Sequence, residues 1–210
     1  MLQGVQHIIF DLGGVIINLD YKKTEQAFVD AGLTDFPQLY TQLQQTPVFD
    51  LFETGKIGRH AFIGALQDLS PIPLTEAQII YAWNAMLLNF PIRRLQILQQ
   101  LRLYHDLYLL SNTNEIHEEA FNKTLAKDHG FQSLHPFFDK VYFSHRVGLR
   151  KPMPEIFELV LSENNLKAEN TLFIDDSPQH IEGAKALGLQ TIFLRPGMTI
   201  EKDIFKNKNN

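Results

Sequence analysis

Four small polar clusters, far apart in the chain, each follow a short apolar run or a loop: Asp11, Ser111-Asn112, Lys151 and Asp175-Asp176. Asp11, Asp175 and Asp176 offer hard carboxylate oxygens, the donor type that suits Mg²⁺ held by few protein groups together with water and a phosphate. Ser111 and Asn112 are neutral donors placed where a helix begins, a position that favours an anion. Lys151 adds a compact positive charge. Taken singly, Asp176 or Ser177 reads as a helix N-cap, Ser111-Asn112-Thr113-Asn114 as another cap, and Lys151 as a solvated lysine. Together, in this order, they read as one anion- and metal-binding site.

What must position them is a set of strands. Ile8-Ile9-Phe10 is too short for a helix and has no polar alternate face, so it reads as a strand buried on both sides, with Asp11 at its end and Gly13-Gly14 allowing close backbone approach. Leu107-Leu110, Lys140-Phe143, Thr171-Ile174 and Thr191-Leu194 repeat the pattern. Helices are predicted between them over 92–102, 115–127, 155–163 and from Pro178 to Leu187. Strands alternating with helices imply an α/β fold with a parallel sheet. In such a sheet the carboxyl ends share one edge, where ligands bind.

The stretch from about 18 to 90 differs. Asp20 caps a helix closed by Gly32, and 37–45, 48–54, 59–69 and 75–88 carry helical spacing, with Thr75-Glu76 a helix start. This predicts an all-helical insertion over 18–90 within a core of 1–17 and 91–210. The lysine- and asparagine-rich tail is expected to fray.

Composition bounds the function. The chain has 210 residues, 44% hydrophobic and 20% charged, with a net charge of −5, which gives no basic excess for a nucleic-acid partner. The absence of cysteine excludes thiolate chemistry. No apolar run approaches the roughly 18 residues of a membrane span, and no signal peptide is evident. The expectation is a soluble cytoplasmic protein with no nucleic-acid or membrane partner, monomeric or dimeric, acting on a small phosphorylated substrate.

Four motifs occur in order: Phe10-Asp11-Leu12-Gly13-Gly14-Val15, Leu110-Ser111-Asn112, Arg150-Lys151-Pro152 and Phe173-Ile174-Asp175-Asp176. With them the chain resembles the haloacid dehalogenase-like (HAD) hydrolase superfamily over residues 5 to about 195. The resemblance implies a Rossmann-like core with an inserted helical cap. It implies that Asp11 is a nucleophile forming an aspartyl-phosphate. Magnesium would be held by Asp11, the Gly13 carbonyl and Asp176, with Asp175 a ligand or just behind the ligands. Ser111, Asn112 and Lys151 would grip the phosphoryl oxygens.

Phosphatases of this superfamily usually carry an acid/base Asp two residues after the nucleophile; here that position is Gly13. The α-D-glucose-1-phosphate phosphatase-like branch, which the motif resembles, also has Gly there but follows it with Asn, where this chain has Gly14. The resulting expectation is a Mg-dependent phosphomonoester hydrolase acting on a small metabolite such as a sugar phosphate. The alternatives are a metal-independent 2-haloacid dehalogenase, which the Asp175-Asp176 pair opposes, and a non-catalytic binding protein. Asp20 could replace the missing acid, though helix capping accounts for it. Residues 49–58 resemble a cap loop, with Phe52, Glu53 and Lys56 as substrate contacts or Phe49 and Phe52 as cap core. Tyr81 and Trp83 read as packing, His145 as structural, and His7 as lying at the sheet's opposite end.

Overall fold

The computed structural model describes residues 4–40 and 47–206. Five parallel strands, β1 (His7–Phe10), β2 (Asp106–Ser111), β3 (Lys140–Phe143), β4 (Thr171–Asp175) and β5 (Gln190–Phe193), form one sheet in the order β3-β2-β1-β4-β5. The period of two along each strand sorts the side chains onto two apolar faces. Ile8, Phe10, Leu107, Leu109, Leu172 and Ile174 join one core cluster, while Ile9, Tyr108, Leu110 and Phe173 join the other. Helices cover both faces, which is why the strands are apolar throughout. In register, Phe10 lies between Leu109 and Ile174, so the chain leaves β1, β2 and β4 at one edge.

The helices on the sheet are α6 (Ile92–Leu101), α7 (Glu115–His129), the single turn α8 (Ser144–Val147), α9 (Pro154–Glu163) and α10 (Pro178–Ala186). Pro154 and Pro178 stand at first-turn positions, where a missing N–H costs nothing. Between β1 and α6 the described residues form α1 (Tyr21–Asp30), α2 (Phe36–Leu39), α3 (Pro47–Glu53), α4 (Arg59–Leu69) and α5 (Glu76–Asn84). Asp20 caps α1 by accepting from the Lys22 N–H, and Thr75 with Gln78 closes a capping box on α5. The predicted helix over 37–45 ends at Leu39, and its residues 41–45 lie outside the described ones.

This helical segment has its own aromatic core. Phe28 stacks on Phe36 and Phe52 on Phe62, each at 4.1 Å between ring centroids, with Trp83 among them. Phe52 is therefore packing. Tyr81, expected to pack, is instead 75% exposed. At the other end of the chain, Ile200–Ile204 forms a helical turn with Ile200 buried, so fraying does not extend to it; the final residues lie outside the described ones. No described helix is long and apolar enough to cross a membrane.

Candidate active site

The carboxyl edge of the sheet brings Asp11, Ser111, Asn112, Lys151 and Asp176 to one place, as the spacing required. Four of them line a single pocket, and Lys151 lies beneath it. Lys151 is no surface lysine. It is wholly buried, and its Nζ donates to Asp11 Oδ1 and to Asp175 Oδ2, both at 2.7 Å. A buried ammonium persists only with such partners.

Asp175 is fully engaged. Its Oδ1 accepts from the Ser177 N–H at 2.7 Å, and the His180 ring nitrogen Nδ1 lies 3.0 Å from both carboxylate oxygens. Burial opposes its charge, but Lys151 and then His180 outweigh burial and hold the carboxyl below its ordinary value. Asp176 has the opposite balance. Burial first, then the charges of Asp11 and Asp175, push it up to about 8. Burial also lifts Asp11 above its ordinary value, although Lys151 pulls the other way. One oxygen from each of Asp11, Asp175 and Asp176 falls within 4.8 Å of the others. Burial and their mutual repulsion are what resist ionisation of Asp176, and a hard divalent cation is the group that such clustered oxygens fit.

Gly14 has φ +69°, and a Cβ there would lie 2.3 Å from Asp176 Oδ2. Backbone conformation and the approach of this carboxylate both demand glycine.

Asn112 differs from expectation. Its side-chain amide donates to the Lys151 carbonyl and accepts from the Lys151 N–H, both at 2.9 Å, so it holds the lysine loop with the group expected to grip an anion. The cap of α7 is Asn114, whose Oδ1 accepts from the His117 N–H at 3.0 Å. As expected, His145 is structural, paired with Glu118, and His7 pairs with Asp106 at the amino end of the sheet.

Of the three loop residues expected to meet substrate, only Glu53 lines the pocket; Phe52 is in the aromatic core and Lys56 is exposed. Glu53 is buried and pairs with Arg150 Nη2 at 3.2 Å, while Asp50 pairs with Arg150 Nη1. Sequence reasoning assigned no role to Arg150, although it directly precedes Lys151. It also missed His117, whose Nε2 lies 3.0 Å from the Trp83 carbonyl and whose ring stacks on Trp83 at 4.7 Å between centroids. Neither partner is near in sequence, so no local pattern marked them.

Comparison with known proteins agrees with this architecture. The family model for haloacid dehalogenase-like hydrolases matches residues 5–188, and the chain belongs to that family. It is 35% identical over 191 residues to D-ribitol-5-phosphate phosphatase of Bacteroides thetaiotaomicron, covering 89% of this chain and 90% of that protein. A HAD family enzyme from the same organism, crystallised as the wild-type protein with magnesium and inorganic phosphate, superposes with a TM-score of 0.81 at 31% identity, covering 92% of this chain and 96% of that one. An L-2-haloacid dehalogenase shares the fold, with a TM-score of 0.61 at 21% identity, over 95% of this chain and 91% of that one. The narrower likeness to the α-D-glucose-1-phosphate branch is not carried by these relatives.

Proposed function

We propose that the chain is a magnesium-dependent phosphomonoester hydrolase working through an aspartyl-phosphate on Asp11, with a small phosphorylated metabolite as substrate. The observation that carries this reading is the arrangement around Lys151: one ammonium braces Asp11 and Asp175, and Asp176 brings a third carboxyl within 4.8 Å of theirs. A metal-free dehalogenase has no use for that third carboxyl. The relative named for D-ribitol-5-phosphate and the magnesium- and phosphate-bound enzyme support the same reading.

In this reading Lys151 holds Asp11 Oδ1, leaving Oδ2 to attack phosphorus in line with the leaving group. The P–O bond to the leaving group breaks, and its oxygen takes a proton from solvent, since Gly13 has none to give. Water then attacks the aspartyl-phosphate, whose P–O bond to Asp11 breaks to return the carboxylate and free phosphate. Ser111, the main-chain N–H groups near Asn112, and Lys151 steady the phosphoryl oxygens as charge builds on them. Asp11, the Gly13 carbonyl and Asp176 would hold Mg²⁺, with Asp175 orienting Lys151. When bound, the ion would supply positive charge that offsets the charge developing on the phosphoryl group.

Residues 18–90 serve as the cap over this edge. The reading places the protein in the cytoplasm and gives it a small phosphorylated substrate as partner, with no nucleic acid or membrane, as a monomer or dimer. The test is hydrolysis of p-nitrophenyl phosphate with Mg²⁺ or EDTA, beside Asp11→Asn. Metal-dependent turnover that vanishes in the variant is the expected result; turnover indifferent to Asp11 overturns it.

A further inference from the structure

A second cavity of about 380 Å³ adjoins the catalytic pocket, within the roughly 300–1,000 Å³ of small-molecule sites. Gly14, Asp176, Arg94 of α6 and the loop 194–199 after β5 line it. Asp176 is common to both cavities, but none of Asp11, Ser111 and Asn112 lines the second one. Among the described arginines, Arg94 alone is buried, at 2% exposure. Its Nε donates to Glu201 Oε2 at 2.9 Å, and its Nη1 is buried with no hydrogen-bond partner. Arg195 lines the same cavity, and its side chain makes no ion pair among the described residues. We propose that this cavity is a second oxyanion site, apart from the catalytic one, where Arg94 and Arg195 take up a phosphate group, free or carried on a small ester.

The chemistry follows from what each group can do. A guanidinium has five donors in a planar fork and never accepts, so its ligand must be an acceptor. A buried charged donor without a partner is costly, and Arg94 Nη1 is such a donor. The bond from Nε to Glu201 braces the guanidinium, so a ligand meets a donor already set in place. The lining side chains include two guanidinia and one carboxyl, that of Asp176. A phosphate group has three terminal oxygens with which to span two arginines on separate segments, and planar guanidinium donors suit it. A carboxylate has only two. The competing account is that Arg94 does no more than tie the terminal helical turn to α6 through Glu201. That account gives neither Arg94 nor Arg195 a reason to respond to an anion.

The experiment is NMR of the full chain labelled with ¹⁵N-arginine, in EDTA, following the Nε–H signals assigned by single substitutions. Inorganic phosphate, propylphosphonate and acetate are titrated separately at constant ionic strength. The Arg94 and Arg195 signals are expected to shift together with phosphate and to saturate with one dissociation constant. Those of Arg59, Arg102 and Arg146, which do not line the cavity, should stay in place. Acetate should bind more weakly by about tenfold or more, and Arg195→Ala should weaken phosphate at Arg94 by a similar factor. Arg195 is exposed, so the variant should fold, which thermal melting checks. Tighter binding of phosphate than of the phosphonate assigns the site to the free ion, and the reverse assigns it to a monoester; either supports it. Signals of Arg94 and Arg195 that stay still, or that drift without saturating, overturn the proposal. So does equal affinity for acetate, or an Arg94 response untouched in Arg195→Ala. A response confined to Arg150, on the catalytic pocket, overturns it too while leaving the phosphatase reading intact.

Discussion

Leu19 Cδ1 lies 2.6 Å from the point where a Cβ on Gly13 would stand. The chain has not merely lost a carboxyl at the position where related phosphatases keep an acid; it has filled the space with a methyl group. Gly13→Asp alone must therefore push the Leu19 side chain aside. The double variant Gly13→Asp, Leu19→Ala makes room for the side chain. We expect it to exceed both the single variant and the wild type on an alkyl phosphate by at least about tenfold, within the usual range of general acid catalysis. The gain should be smaller on p-nitrophenyl phosphate, whose leaving group scarcely needs a proton. Equal gains on both esters would show that the added carboxyl does not protonate the leaving group.

Lys151 is buried between Asp11 and Asp175 at 2.7 Å from each. Lys151→Met keeps much of the volume and removes the charge, leaving two buried carboxylates facing one another. Breaking a buried pair in this way costs about 3–5 kcal/mol, which urea unfolding at pH 7 in EDTA should register. Turnover should fall by roughly 10²–10³ as well, since the same ammonium steadies the phosphoryl group. A stable variant would show that the lysine is not needed to hold the two carboxylates.

The strands and helix starts were legible because their signals are local. Ile8-Ile9-Phe10 could only be a buried strand, and Thr75 and Asp20 are caps by residue type and position. The rule that ligands gather at the carboxyl edge then united Asp11, Ser111, Lys151 and Asp176. Contacts between remote segments were not legible. The Arg150–Glu53 bridge and the stack of His117 on Trp83 depend on how α3 and α5 come down on the sheet edge. Likewise, motif position alone could not show that Asn112 spends its amide on the Lys151 backbone. Phe52, Lys56 and Tyr81 show the same limit, since helical spacing says which residues share a face but not what that face meets.

Asp176 gives the metal reading a signature apart from turnover. A ligand that binds only the folded state stabilises it by mass action, about 2.7 kcal/mol at a hundredfold excess over Kd. Mg²⁺ should therefore raise the melting temperature of the wild type measured against EDTA. Asp176→Asn removes one donor and also one of the mutually repelling carboxylates. It should raise the melting temperature in EDTA and abolish most of the increment from Mg²⁺. An undiminished increment would place the ion elsewhere.

His117 contributes a pH dependence of its own. It is buried against Trp83, and burial lowers its pKa from 6.5 to about 4, with the Trp83 carbonyl working the other way. The unfolded chain takes up this proton as pH falls through 6.5, while the folded protein refuses it until about pH 4. Between those values the unfolded state binds more protons, so stability falls as pH is lowered and levels off below about 4. At 1.36 kcal/mol per unit the interval amounts to about 3 kcal/mol. His117→Phe keeps the ring against Trp83 and removes the titration. Its unfolding free energy should start lower, having lost the hydrogen bond to the Trp83 carbonyl, and decline less from pH 6.5 to 4. Parallel declines in urea unfolding of the two proteins would assign the acid sensitivity to other groups.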